Sequence, residues 1–308
     1  MKEARYIFPE DYMADPSAHV YNGKVYIYPS HDWDSGTSDN DNGDQYNMKD
    51  YHCLSIEDLE NGTCKDEGVI LRLEDVPWAK KQLWDSDVVE KDGKYYLCFC
   101  AKDYNEVFHL GIAIADRPEG PFKAEPAPII GSYSIDPCLF KDDDGSIYVY
   151  FGGIWGGQLQ RYRDNIALED PHLPNFDDPA LPARVAKMSD DMLQFAEEPK
   201  PVVIYNEEGE LKHCNPHRFF EASWMTKKDG KYYFIYSTGD SHLLCYAEGD
   251  NPYGPFKYKG ELLQPVIGWT THACVTEYKG KWYLFHHDCG PSKGVSALRS
   301  LKVKEIEL

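Results

Sequence analysis

Residues 229–234 read Asp-Gly-Lys-Tyr-Tyr-Phe, a turn pair followed by a strand of aromatic residues. Asp-Gly between apolar runs is a strong hairpin signal, because a two-residue type I′ turn needs positive φ at both positions. The pattern recurs four more times, at residues 22–28, 92–97, 144–150 and 279–284. Five such segments in one chain are hard to obtain by chance, so we interpret them as a structural repeat.

The spacing of the turn glycines indicates what the repeat is. They lie at positions 23, 93, 145, 230 and 280, with gaps of 70, 52, 85 and 50 residues. A four-stranded propeller blade takes roughly 40–50 residues, and the longer gaps leave room for inserted loops. We therefore predict an all-β chain in which residues 1–308 form a single five-bladed β-propeller domain. A β-sandwich is the alternative architecture.

Composition agrees with this fold class and narrows the possible partners. The 308 residues include 23 Tyr, 24 Gly and 20 Pro, which favours an all-β structure. The 52 acidic and 32 basic residues give a formal net charge of −20. Phosphate backbones and anionic membrane surfaces would be repelled, so we expect neither nucleic acid nor membrane as a partner. A neutral ligand is favoured.

The nine cysteines bear on the compartment. Their number is odd, and several of them stand inside apolar strand-like runs. This is typical of reduced, buried thiols, so we predict a cytoplasmic location. The first residues carry no apolar signal-peptide core. A periplasmic or secreted location is the alternative if a signal peptide has been removed.

The acidic stretch at residues 34–44 superficially resembles a calcium-binding loop. It lacks an Asp in the right starting register and a Glu at the twelfth position, so the EF-hand pattern is not met. We interpret it as a solvated loop.

A polar residue recurs at the start of the first strand of each repeat. Asp15 and His272 each lie eight residues before their turn glycine, and Asp136 and Glu221 lie nine before theirs. The second repeat offers Asp85 and Asp87, and the end of the returning first-blade strand adds His31 and Asp32. Inner strands line the axis of a propeller, so these residues are expected to meet around one mouth and form a pocket.

Three carboxyl groups in one pocket point to chemistry rather than to stability. Bringing like charges together and burying them costs several kcal/mol. Acid–base catalysis uses such crowding, because it separates carboxyl pKa values. One strand-start Asp has a structural explanation, whereas Asp15, Asp136 and Glu221 at matched offsets favour a catalytic trio.

The sequences around these residues are similar to known motifs. Met-Ala-Asp-Pro-Ser-Ala-His at residues 13–19, Ser-Ile-Asp-Pro-Cys at 134–138 and Phe-Glu-Ala-Ser-Trp at 220–224 resemble the three acidic motifs of glycoside hydrolase family 43. Residues 270–273 and 298–301 resemble two further motifs of that family. The likeness runs from about residue 8 to about residue 304, with the motifs in family order.

The resemblance implies roles for the matching residues. Asp15 would be the general base that activates water, and Glu221 the general acid that protonates the leaving oxygen. Asp136 would orient Glu221 and raise its pKa. Arg299 would face the sugar and Asp136, and His272 would match a central histidine that in many members ligates calcium.

One motif departs from the family pattern. The family usually has Trp-Ala-Pro-Asp in the second blade, and this chain has Trp-Asp-Ser-Asp at residues 84–87. Trp84 and Asp87 match and are expected to bind substrate together with Arg299, His31 and Asp32. Asp85 adds a carboxylate near the pocket and puts the subsite on the leaving-group side in doubt.

The implied activity is an inverting hydrolysis that releases β-D-xylosyl or α-L-arabinofuranosyl units from hemicellulose-derived oligosaccharides. This chemistry requires no cofactor, although a structural Ca²⁺ at His272 is expected from the resemblance. An endo-acting arabinanase or xylanase of the same family is the nearest alternative. A non-catalytic carbohydrate-binding propeller is the alternative from another class, and it should have equivalent pockets between blades.

Overall fold

The computed structural model describes residues 3–162, Leu168 and residues 173–308, and nearly all of its regular structure is β-strand. Five sheets surround one axis, so the predicted five-bladed β-propeller is confirmed. Blade I contains β2 (Met13–Tyr21), β3 (Lys24–His31), β4 (Asp50–Ile56) and β5 (Lys65–Arg72). Blade II contains β6 (Ala79–Lys81), β7 (Ser86–Lys91), β8 (Lys94–Asp103), β9 (Phe108–Ala115) and β10 (Lys123–Ala124).

The other three blades follow in chain order. Blade III contains β11 (Cys138–Lys141), β12 (Ile147–Phe151), β13 (Arg184–Lys187) and β14 (Lys200–Pro201). Blade IV contains β15 (Ile204–Asn206), β16 (Gly209–Glu210), β17 (Phe219–Lys228), β18 (Lys231–Thr238), β19 (Leu244–Gly249) and β20 (Phe256–Leu263). Blade V contains β21 (Ala273–Tyr278), β22 (Lys281–Asp288), β23 (Ser300–Ile306) and β1 (Arg5–Tyr6). Short 3₁₀ helices occupy Leu73–Asp75, Trp155–Gly157 and Leu159–Arg161.

The inner strands of the blades form a closed ring. Strand β2 packs against β7 and β21, β11 packs against β7 and β17, and β17 packs against β21. Closure depends on the N-terminal segment, because β1 pairs antiparallel with β23 and places Arg5 opposite Val303. The two ends of the described chain therefore complete one blade.

The predicted hairpins are present, and four of the five have the predicted turn. Asn22 and Gly23 both have positive φ, at 53° and 78°, and the equivalent pairs in blades II, IV and V do as well. Blade III differs, because only Gly145 of the Asp-Gly pair has positive φ. There the turn is longer, with the Asp142 N–H donating to the Ser146 carbonyl at 2.8 Å. The repeat is thus confirmed, with one change of turn geometry.

Apolar residues fill the space between blades, because the faces of neighbouring sheets pack against one another. Tyr28, Tyr51 and Phe99 pack between blades I and II, whereas Val149 and Phe151 pack between blades II and III. All nine cysteines are free, and every one except Cys214 is buried. Reduced thiols agree with the sequence analysis, whereas the compartment stays a prediction. Among the described residues, no helix has the length and apolar character needed to cross a membrane.

One inter-blade hydrogen bond occurs twice. The Tyr28 hydroxyl of blade I donates to the Pro118 carbonyl of blade II at 2.9 Å. The Tyr150 hydroxyl of blade III donates to the Pro252 carbonyl of blade IV at 2.6 Å. Both acceptors lie in an Asp-x-Pro-x-Gly-Pro-Phe segment, which leads from β9 to β10 in blade II and from β19 to β20 in blade IV. The last tyrosine of the hairpin repeat thus docks the next blade.

We expect Tyr150→Phe to lower the free energy of unfolding by about 1–2 kcal/mol, because the buried Pro252 carbonyl loses its donor while ring packing is kept. Tyr28→Phe should behave alike. Chemical denaturation measures both effects. Tyr104→Phe is the control, because Tyr104 is 69% exposed, and it should change little. Equal, negligible changes in all three variants would contradict a docking role for the two hydroxyls.

Candidate active site

A cavity of about 310 Å³ opens at the end of the axis opposite to the hairpin turns. It lies there because the inner strands of all blades begin at this end. Its wall brings together most of the ionisable residues that the sequence singled out, and it contains Asp15, Asp85, Asp136, Glu221, His272 and Arg299.

Backbone irregularities aim three of these side chains. A register shift between Ala14 and Ser17 of β2 marks a bulge around Asp15, and register shifts in β17 flank Glu221. Asp15 and Asp136 have φ of 46° and 59°, in the left-handed region that non-glycine residues rarely occupy. Each such residue costs about 1–3 kcal/mol and is typically kept where function requires it.

The Asp15 carboxylate is buried, and both of its oxygens accept hydrogen bonds. The Ser30 hydroxyl donates to Oδ2, and Nη1 of Arg299 donates to Oδ1 at 2.7 Å. The Asp15 N–H donates to Nδ1 of His287 at 3.0 Å, which fixes the backbone at this residue. Burial raises the pKa of Asp15 to about 6, and the charge of Asp85 adds to this, although Arg299 opposes it.

Arg299 is held mainly by Asp32. Its Nε and Nη2 donate to the two carboxylate oxygens of Asp32 at 2.9 and 2.7 Å, and its backbone N–H donates to Oδ2 at 2.8 Å. The guanidinium lies 4.9 Å from the ring centre of Tyr46. The structure therefore pairs Arg299 with Asp15 and Asp32, whereas the family resemblance placed it against Asp136.

Asp85 and Asp136 form a carboxyl pair. Burial and the neighbouring Asp85 carboxylate raise the pKa of Asp136 well above its usual value. Burial alone would raise the pKa of Asp85, but the neighbouring His272 outweighs it and lowers that pKa. Oδ2 of Asp136 accepts the Ala222 N–H at 2.6 Å, directly after Glu221 in the chain.

Glu221 has a pKa that is raised further than that of Asp15. Burial raises its pKa to about 8, and the charges of Asp85 and Asp15 add to the shift. His272 and Arg299 act in the opposite direction. Between pH 6 and 8, therefore, Asp15 is a carboxylate while Glu221 keeps its proton.

His272 lies among carboxylates. Its Nδ1 is 2.7 Å from Oδ1 of Asp85 and 3.8 Å from Oδ1 of Asp15. Burial lowers the pKa of His272, but the carboxylates outweigh this and raise it. One ligand atom from each of Asp15, Asp85 and His272 falls within 4.8 Å of the others, so this group could hold a cation.

Trp84 lines the cavity as predicted. Its indole N–H donates to the Tyr46 carbonyl at 2.7 Å. Gly43 and Gly156 both lie against the outer edge of the ring, where a Cβ would stand 2.4 and 3.2 Å from Cη2 of Trp84. Any side chain at Gly43 would displace the indole.

Three predicted substrate-binding residues do not reach the cavity. Asp87 is fully buried and binds Nε2 of His19 at 2.5 Å, because β7 turns it towards the neighbouring inner strands. Asp32 faces Arg299 and acts through it. His31 lies 2.6 Å from Asp50, outside the cavity wall. A direct sugar contact by these residues does not fit the structure.

Of the other wall residues, Trp155 follows a returning strand, where the sequence also predicts the rim, whereas Asp39, Asp41 and Trp269 were missed. The solvated acidic stretch contributes Asp39 and Asp41, and the rim carries Trp155 and Trp269. Asp39, Asp41 and Trp155 lie in connections between the second and third strands of a blade, at the same end as the strand starts. The long gaps after Gly23 and Gly145 were the available signal, because they contain these connections.

A comparison with protein families identifies the fold and the motifs together. Residues 7–308 match the model of glycosyl hydrolases family 43. The chain is 64% identical to a β-xylosidase of Xylanibacter ruminicola over 307 residues, which cover 99% of this chain and 96% of the relative. It is 62% identical to a xylosidase/arabinosidase of Bacteroides ovatus over 307 residues, covering 99% and 94% of the two chains.

Solved structures give the same result. RS223 β-xylosidase superposes with a TM-score of 0.98 at 62% identity, covering 100% of this chain and 96% of that one. A β-xylosidase/α-arabinofuranosidase from a compost microbial metagenome superposes with a TM-score of 0.96 at 53% identity, covering 99% and 94%. That enzyme was solved with xylotriose in a calcium-free form.

The charge distribution predicts an observable titration. We expect the Asp15 and Glu221 carboxyls to titrate near pH 6 and pH 8, above their ordinary values near 4. Carbon-13 NMR of labelled carboxyl groups measures both. Asp85→Asn removes a like charge and should lower both pKa values. The exposed Asp34→Asn is the control and should leave them unchanged; ordinary values in the unsubstituted protein would refute the electrostatic description.

Proposed function

Because the chain belongs to glycosyl hydrolase family 43, we propose that it releases single β-D-xylosyl or α-L-arabinofuranosyl units from hemicellulose-derived oligosaccharides, with inversion at the anomeric carbon. The observation that carries the proposal is the convergence of Asp15 and Glu221 on one cavity with their pKa values apart. The names of the relatives from Xylanibacter ruminicola and Bacteroides ovatus support the pentose substrate.

Asp15 is proposed as the general base. Above pH 6 it is a carboxylate, and Ser30 and Arg299 fix its two oxygens. A water beside it gives up a proton as it attacks the anomeric carbon. An inverting enzyme needs acid and base on opposite faces of the sugar, roughly 6.5–9.5 Å apart, with room for that water. Asp15 on blade I and Glu221 on blade IV approach the cavity from different sides.

Glu221 is proposed as the general acid. Its pKa of about 8 keeps the proton available at neutral pH for the departing glycosidic oxygen. Asp136 is a positioning residue, because its carboxyl binds the N–H of Ala222 next to Glu221. The charge that raises the pKa of Glu221 comes from Asp85 and Asp15 rather than from Asp136.

The shape of the site supports exo action. The acidic loop, Trp84 and the rim tryptophans surround a single cavity, which suits a terminal sugar, whereas an endo-acting enzyme needs a groove open at both ends. A carbohydrate-binding propeller should have equivalent pockets between blades. Here the polar residues differ from blade to blade and converge on the axis.

We also propose that a divalent cation, with calcium the expected ion, binds beside His272. The residues fit a cation, since Asp85, Asp15 and His272 offer three ligand atoms and Oδ1 of Asp136 is buried without a hydrogen bond. Asp85 and His272 would hold the ion. Its positive charge would offset the crowded carboxylates.

Two substrates with different leaving groups distinguish the proposed role of Glu221 from that of Asp15. Glu221→Gln should lose several orders of magnitude on xylobiose, whose alkoxide leaving group needs a proton, and far less on a nitrophenyl xyloside. Asp15→Asn should lose activity on both, because water must be activated whatever departs. Steady-state kcat/KM measures the four combinations, and equal losses for Glu221→Gln on both substrates would contradict its role as the acid.

Proton NMR of the first-released sugar checks the stereochemistry. We expect the anomeric configuration opposite to that of the substrate, because no glycosyl-enzyme forms in an inverting mechanism. Retention would contradict the mechanism.

Cation binding is tested by chelation. Exhaustive chelation should lower the melting temperature and the activity, and calcium should restore both; elemental analysis of the purified protein counts the ion. His272→Gln should remove the response to chelation. If no metal is found and chelation changes neither quantity, the cation proposal is wrong.

A further inference from the structure

Trp155 is an exposed aromatic residue in an unfavourable backbone conformation. Its side chain is 47% exposed at the rim of the cavity. Its φ is 57°, in the left-handed region, which disfavours bulky residues. An exposed tryptophan contributes little to a core, so packing does not explain why this conformation is kept.

A buried glutamine fixes this conformation. Oε1 of Gln160 accepts the Trp155 N–H at 2.9 Å, and Nε2 of Gln160 donates to the Trp155 carbonyl at 3.2 Å. The Gln158 N–H donates to the same carbonyl at 2.8 Å. Gln160 is only 6% exposed, so its amide is held in place. Both backbone groups of Trp155 are thereby clamped.

The same turn is attached to the strand that carries the proposed acid. The Ile154 N–H donates to the Phe220 carbonyl at 3.1 Å, and Phe220 directly precedes Glu221. On its other side the turn packs against Trp84 through Gly156. The indole of Trp155 therefore stands at the rim on the Glu221 side of the cavity.

The other rim tryptophan belongs to the opposite side. Trp269 precedes Thr270, whose hydroxyl accepts from Nη1 of Arg299 at 3.2 Å. Arg299 in turn binds Asp15, the proposed base. The two tryptophans thus flank the mouth, one beside the acid and one beside the base.

We propose that Trp155 is the platform for the sugar on the leaving-group side of the scissile bond, and that Gln160 is the residue that positions it. The inference rests on the proposed function. Glu221 delivers its proton to the glycosidic oxygen, so the departing sugar must lie on the Glu221 side of the cavity. The face of an indole suits the apolar C–H face of a pyranose ring, because stacking them removes apolar surface from water.

The experiment compares two substrates that share the xylosyl unit and differ in leaving group. Xylobiose places a second sugar on the platform, whereas the leaving group of methyl β-D-xyloside is too small to reach it. Trp155→Ala should lower kcat/KM for xylobiose about 30-fold, the loss typical of truncating a central aromatic contact. It should change kcat/KM for methyl β-D-xyloside less than about 2-fold. The ratio of the two values is the readout.

Two further variants complete the design. Gln160→Met keeps the size of the side chain and removes both hydrogen bonds, so it should lower the same ratio, mainly through KM for xylobiose. Trp33→Ala is the matched control, because Trp33 is 40% exposed and lies outside the cavity wall. It should leave the ratio unchanged.

The outcomes separate the two proposals. If the unsubstituted protein hydrolyses neither these xylosides nor a nitrophenyl α-L-arabinofuranoside, the proposed function fails. If it hydrolyses the arabinofuranoside alone, the platform is refuted while the function stands. If it hydrolyses both xylosides and Trp155→Ala lowers them equally, or lowers neither, the platform is refuted while the function stands. A ratio lowered in Trp155→Ala and unchanged in Gln160→Met would remove only the positioning role of Gln160.

Discussion

The site depends on one buried chain of charges, in which Asp32 binds Arg299 and Arg299 binds Asp15. Four carboxyl groups meet at one end of the axis, and burying them without a cation would be prohibitively costly. Arg299 supplies the positive charge and stays charged at any working pH. Asp32 is fully committed to the guanidinium, so the free side of Arg299 keeps a fixed direction towards Asp15. The Asp32–Arg299 pair therefore fixes the position of the Asp15 carboxylate in the cavity wall.

The carboxyl groups of Asp15 and Glu221 differ in pKa because their charged neighbours differ. Asp15 and Glu221 are both acids whose pKa burial raises, yet Arg299 opposes the shift directly at Asp15 and only weakly at Glu221. Asp85 accentuates the difference, because its pKa is lowered by His272 and it is ionised beside Glu221. Asp136 accepts the N–H of Ala222, directly after Glu221 in the chain. The separated pKa values of Asp15 and Glu221 suit their proposed roles as base and acid at neutral pH.

In each blade the hairpins form the scaffold, whereas the connections between strands line the cavity. The hairpins repeat, and their tyrosines dock one blade on the next, as Tyr28 and Tyr150 do. The connections between the second and third strands do not repeat, and they build the cavity wall. The acidic loop and the turn at Trp155 are such connections, and each packs on Trp84 through a glycine. Substrate selection can therefore change without disturbing the ring.

The sequence by itself determined the repeat, the five blades, the family and the meeting of Asp15, Asp136 and Glu221 at one cavity, because turn pairs such as Asn22-Gly23 and the similar offsets to strand starts are local properties. Only the tertiary structure decided which polar residues face the cavity. Asp85 and Asp87 are two residues apart, so the alternation of strand side chains could not distinguish them. Asp85 precedes strand β7 and lines the cavity, whereas Asp87 lies inside strand β7 and does not reach the cavity. Bulges and left-handed residues redirect Asp15 and Asp136. Contacts between blades such as Asp32 with Arg299 join residues 267 positions apart, and spacing along the chain carries no information about such pairs.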